Sequence, residues 1–121
     1  MKEYQLGVVE SEFADLIWER EPISSAELVK RSEEQFHWNR STTYTVLRRL
    51  AAKGIFRLED GTVTALVKRE QFYATQSQQY VEENFNGSLP AFLSAFASAK
   101  RLSPKEVESI RQMIADYEEG K

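Results

Sequence analysis

The sequence has no cysteine and a single histidine, His37. Disulfides, thiolate metal sites and cysteine nucleophiles are thereby excluded. A dyad or metal site built on His37 would need partners at workable spacing, and none is visible; His37 reads as a surface or core-edge residue. Glycine and proline are scarce, at 5 and 3 of 121 residues, which leaves no long flexible linker and no glycine-rich phosphate loop. No apolar run approaches the roughly 20 residues that span a bilayer, and residues 1–7 hold no apolar signal core. The adjacent carboxylates Glu82-Glu83 and Glu118-Glu119 point to different sides of a helix and read as solvated charges, not an acid/base pair. The expectation is a cytoplasmic, non-enzymatic protein that needs no cofactor and no metal.

Acidic residues are also missing from one stretch. The net charge is -3, which taken alone argues against nucleic acid as a partner. Yet no Asp or Glu lies between Glu34 and Glu59, where Arg40, Arg48, Arg49, Lys53 and Arg57 all fall. Fields of exposed charges fade over about 8 Å at physiological salt, so local charge decides phosphate binding. A basic face on an acidic body can bind DNA.

The composition, 41% hydrophobic and 29% charged, is that of one folded domain, or of one small domain with a helical appendage. A first helix is expected over 8–19, with Gly7 as N-cap and Val9, Phe13, Leu16, Ile17 and Trp18 as its buried stripe. A second starts after Ser24, where Ser24 and Glu27 have the spacing of a capping box. Phe36 and Trp38 are expected just past its end, closing the core. The third helix runs between Asn39, a good N-cap, and Gly54, suited to the left-handed turn after a helix. One face carries Thr43, Val46, Leu47 and Leu50. The other carries Ser41, Thr42, Tyr44, Thr45, Arg48 and Arg49.

Asp60-Gly61 is a two-residue hairpin signal between Ile55, Phe56, Leu58 and a returning strand over 62–67. Three helices and a hairpin in this order predict a mainly α protein, a winged helix-turn-helix over 1–68. The remainder, 69–121, reads as helices over 69–84, 89–99 and from Ser103 onward, the last with a second capping box to Glu106 and Pro104 at its first position. Three short helices cannot bury their apolar side chains alone, and a second copy of the chain is the simplest partner. The expected dimer interface comprises Phe72, Tyr80, Phe85, Leu89, Phe92, Leu93, Phe96, Ile110, Met113 and Ile114. Several of these aromatics could instead line an effector pocket.

The ordered set of residues resembles the penicillinase-repressor family of bacterial regulators (BlaI/MecI/CopY type). The resemblance runs from Leu6 to about Tyr117. It rests on Leu6, Glu10, Leu16-Ile17-Trp18, Pro22-Ile23, Trp38, Thr42, Thr45, Leu50, Lys53-Gly54, Asp60-Gly61, Gly87-Ser88-Leu89 and Leu102-Ser103. It implies a dimeric repressor whose winged helix reads a dyad-symmetric operator and whose C-terminal helices hold the dimer. It also implies inactivation by a protease or another effector. Three departures stand out. There is no cysteine cluster of the copper-responsive branch. Ala95-Phe96 stands where members cut in the sensor pathway have Asn-Phe. The returning wing strand is short and lacks the usual aromatic run.

Major-groove readout requires short polar or basic side chains on the inserted helix. Ser41, Thr42, Tyr44, Thr45 and Arg48 meet that requirement. Arg40, Arg49, Lys53 and Arg57 are assigned mainly to phosphates, with an intradomain salt bridge as the other use of Arg49. Thr62 is assigned to the wing's contact with double-stranded DNA. Lys68 and Arg69 could touch the backbone, although a solvated helix start suits them as well. The alternative to DNA binding is a winged-helix module that packs on another protein.

Overall fold

The helix α1 (Val8–Arg20) begins where Gly7, in extended backbone, donates its N–H to Glu10 Oε1 at 3.3 Å. The computed structural model describes residues 6–120; most of the segment read above as lacking a signal core, 1–5, lies outside them. The chain continues through β1 (Ile23–Ser24), α2 (Ser25–Phe36), α3 (Arg40–Ala52), β2 (Phe56–Glu59), β3 (Thr62–Ala65), α4 (Arg69–Asn84), α5 (Leu89–Ala99) and α6 (Pro104–Glu118). No helix among the described residues is long and apolar enough to cross a membrane.

The caps explain the helix starts. Asn39 Oδ1 accepts the Thr42 N–H at 2.8 Å and opens α3. Ser24 Oγ accepts the Glu27 N–H at 3.0 Å. Only half of that expected capping box forms, because the Glu27 carboxylate turns to Arg31 at 2.6 Å. The box at Ser103 and Glu106 closes in both directions, at 2.8 and 3.0 Å. Phe36 is the last residue of α2, not a residue beyond it.

The hairpin turns at Asp60 and Gly61, whose φ values of 52° and 73° are those of a type I′ turn. Its register pairs Phe56 with Ala65 and Glu59 with Thr62. The sequence predicts this hairpin alone. A third strand is present: β1 pairs antiparallel with β3, Ile23 opposite Val63, giving the order β1-β3-β2. A two-residue strand is too short to display alternation.

Two compact units divide between Gln79 and Tyr80, within α4. In the first, Phe13, Ile17, Leu28, Leu47, Leu50, Ile55, Phe56, Val63 and Phe72 are essentially inaccessible. Phe13 packs on Phe36 and Trp38, with ring centroids 6.3 and 5.3 Å away. Trp18 meets Phe56, Phe72 and Tyr73 at 5.2, 5.5 and 5.9 Å, and donates its Nε1–H to the Val67 carbonyl at 2.9 Å. That bond satisfies the indole donor and ties the end of the wing to α1. Phe72 therefore belongs to the interior of the first unit. The expectation that it faces a second copy is corrected: it has no free surface.

In the second unit no described residue of α5 or α6 is buried. Tyr80, Phe85, Phe92 and Phe96 form a chain of ring contacts 5.6–6.3 Å apart. An open groove of about 440 Å³ lies between α5 and α6, lined by Phe92, Leu93, Phe96, Leu102 and Ile110 among others.

Candidate nucleic-acid interface

The apolar positions of α3 dictate which of its side chains face outward. Thr43, Val46, Leu47 and Leu50 are buried against the first unit's core. A helix turns 100° per residue, so burying 43, 46, 47 and 50 leaves 41, 42, 45, 48 and 49 on the other side. Ser41, Thr42, Thr45, Arg48 and Arg49 are all exposed, as is Arg40 in the first turn. Six of the expected contact residues are thus exposed on α3.

The Thr45 hydroxyl donates to the Ser41 carbonyl at 2.9 Å. Its proton is engaged, which leaves the oxygen lone pairs and the methyl group facing solvent. Such a side chain can accept from a base amino group and touch a thymine methyl. Thr43 makes the equivalent bond to the Asn39 carbonyl, at 3.0 Å, and is buried.

Tyr44 is half-buried and packs against the core. The guanidinium carbon of Arg40 lies 5.3 Å from its ring centroid, and that of Arg48 lies 5.6 Å away. Both distances fall within cation–π range.

The other cations expected at phosphates are held differently. Arg49 donates to Glu10 Oε2 at 2.9 Å, so of its two weighed uses the intradomain salt bridge is the one observed. Burial pushes the Glu10 carboxyl upward. The Arg49 hydrogen bond, the Gly7 N–H and the charges of Lys53 and Arg49 outweigh it and hold the group below its ordinary value. Glu10 thus stays ionised at neutral pH. Lys53, the C-cap of α3, is half-buried. Arg57 on β2 pairs with Glu59 two residues on. Thr62, opposite Glu59 and Ser24 in the sheet, is half-buried.

Sequence reasoning did not give the role of Glu10, because its partner lies 39 residues away. Nor did it find the ion pairs of Arg69 with Asp15, at 2.8 Å, and of Lys68 with Glu21, at 3.8 Å. Glu21 also accepts the Ala65 N–H at 2.8 Å. These contacts fasten α4 and β3 to α1, and no spacing rule announces them.

Of the residues expected at a dimer interface, Tyr80, Leu89, Leu93, Phe96, Met113 and Ile114 are exposed. Phe85, Phe92 and Ile110 are half-buried. Tyr117, near the end of α6, is 84% exposed.

A family model described as penicillinase repressor matches residues 6–116. The methicillin resistance regulatory protein MecI of Staphylococcus aureus (strain Mu50) is 25% identical over 117 residues, covering 93% of this chain and 95% of that protein. The penicillinase repressor of Bacillus licheniformis is 24% identical over 121 residues, covering 97% and 94%. The penicillinase repressor of Staphylococcus aureus is 20% identical over 119 residues, covering 95% and 94%. A winged helix followed by further helices, a hydroxyl-and-arginine face on α3 and a family match over nearly the whole chain lead to one conclusion: the chain belongs to the penicillinase repressor family of DNA-binding, non-enzymatic transcriptional repressors.

Proposed function

We propose that this repressor acts as a homodimer on a dyad-symmetric operator, with two copies of α3 in successive major grooves about 10 bp apart. The observation that carries the reading is the split of α3. Thr43, Val46, Leu47 and Leu50 fix the helix on the core, and Ser41, Thr42, Thr45 and Arg48 are left on the surface. Arg48 is suited to guanine O6 and N7, and the hydroxyls to either partner. We assign Arg40 and Arg57 to the phosphates, Arg57 exchanging its Glu59 partner for one, and Thr62 to the wing's contact with the duplex. Lys53 adds positive charge behind them, whereas Arg49 is held by Glu10. We assign dimerisation to the second unit, because α5 and α6 bury no described residue within one chain while exposing Leu89, Leu93, Phe96, Met113 and Ile114. The reading helices lie within 1–68 and the dimerisation helices within 69–121, with the start of α4 docked on the former through Phe72 and Tyr73.

Selection of bound duplexes from a random pool tests this. The expected result is a dyad-symmetric consensus whose affinity falls steeply with salt. Arg48→Ala is expected to weaken binding to that consensus about 10- to 100-fold, the worth of one good bidentate base contact. Thr45→Ala should cost less, and both variants should keep the parent's thermal stability. A pool that shows no enrichment, with no salt-dependent affinity for any duplex, would contradict the proposal and favour a protein-interaction module.

A further inference from the structure

Resting on that reading, we infer that Tyr44 is a positioning residue: its ring holds Arg40 and Arg48 in place for DNA instead of contacting DNA through its hydroxyl. Residues 40, 44 and 48 succeed one another at intervals of four, a single ridge along the helix where neighbours meet. The tyrosine is the middle member and is itself fixed by packing on the core. The two guanidiniums lie 5.3 and 5.6 Å from its centroid. Arg40 and Arg48 thus share one immobile support.

The arrangement solves a problem specific to a DNA-reading surface. A long cation such as arginine loses much rotamer freedom when it is ordered. An acidic partner would order it, as Glu10 orders Arg49 and Glu59 orders Arg57. That partner would also cancel the charge and repel phosphate. An aromatic face attracts the cation without carrying a net charge. Among the described residues Arg40 and Arg48 form no ion pair, and the ring is the group that orders both. The phenol oxygen is not needed for this. The aromatic face is.

Each exposed cation–π contact favours the aligned rotamer about two- to fivefold, and two together about five- to twentyfold. Tyr44→Phe and Tyr44→Leu in the full chain separate the roles. Phenylalanine keeps the face and drops the hydroxyl. Leucine keeps apolar volume against the core and drops the face. The probes are the duplex selected by the parent and a scrambled duplex of the same composition. Tyr44→Phe should bind the selected duplex within about twofold of the parent. Tyr44→Leu should lose about five- to twentyfold on it and only about two- to fivefold on the scrambled duplex, where the phosphate contact of Arg40 alone is at stake. Arg48→Ala should cost less in the Tyr44→Leu background than in the parent, because the ring acts through that arginine. In the DNA-free protein, the side-chain δ protons of Arg40 and Arg48 should show ring-current shifts that vanish in Tyr44→Leu.

Equal affinity of Tyr44→Leu and the parent for the selected duplex overturns the inference. So does a loss in Tyr44→Phe as large as in Tyr44→Leu, which would place the hydroxyl on DNA. Absence of the ring-current shifts overturns the stack itself. A parent that selects no sequence at all instead overturns the operator-reading proposal, whatever the shifts show.

Discussion

Phe72→Ala is expected to destabilise the first unit by about 3–5 kcal/mol, the usual cost of truncating a fully buried phenylalanine. The ring has no accessible surface. It meets Trp18 at 5.5 Å and Tyr73 at 5.1 Å. Deleting it removes apolar contact and leaves a void beneath Trp18, whose indole also ties the Val67 carbonyl. Domains are stable by only about 5–15 kcal/mol, so the loss is a large fraction of the total. Denaturant unfolding followed by tryptophan fluorescence measures it directly, since both tryptophans, Trp18 and Trp38, pack against this core. The self-association constant of the folded variant should stay at the parent's value, because Phe72 presents nothing to a partner. A weakened dimer with unchanged stability would show that the ring is a contact residue after all.

Met113→Glu combined with Ile114→Glu should act the other way round. These side chains are 67% and 53% exposed in a single chain, so the substitution leaves the helix and the unit's packing in place. α6 keeps its capping box and its first-turn proline. In a dimer the two positions would be covered by apolar surface from the second copy. Two unpaired carboxylates there cost several kcal/mol each when desolvated. Dimer dissociation should therefore rise by at least about 100-fold, seen by sedimentation, while the circular dichroism spectrum remains that of the parent. Affinity for the selected duplex should fall in parallel, because the second α3 is then no longer held at a high effective concentration near its half-site. An unchanged dimer would place the association surface elsewhere on the chain.

The contrast between these predictions marks what the sequence displays and what it hides. The two faces of α3 are legible because a good cap at Asn39, a left-handed glycine at Gly54 and a 3.6-residue period all agree. The wing is legible because Asp60-Gly61 can be little else than a hairpin turn. The helix α4 is not. Its early residues Phe72 and Tyr73 pack around Trp18, whereas Tyr80 lies in the second unit among Phe85 and Phe92. One helix that changes its packing partners part-way presents a loose apolar pattern, and the pattern cannot say which turn serves which core. The same limit applies to β1, where two residues carry no period, and to Glu10 with Arg49, where the contact joins distant segments. Tyr44 shows a subtler case. Its position on the polar face is visible in the sequence, but its ring contacts with Arg40 and Arg48 depend on side-chain directions that spacing alone does not supply.

The absence of cysteine makes the most direct test simple, since any introduced thiol is the only one in the chain. Single variants Ser41→Cys and Thr45→Cys place it on the exposed face of α3, and Glu118→Cys places it at the end of α6. Alkylation rates are then compared with and without the selected duplex. If α3 lies in the groove, the duplex slows the reaction at 41 and 45 at least about tenfold and leaves 118 unaffected, because a thiol between helix and base edges is shielded from reagent. Equal rates at 41 and 45 with and without bound duplex would contradict the claim that this helix reads the DNA.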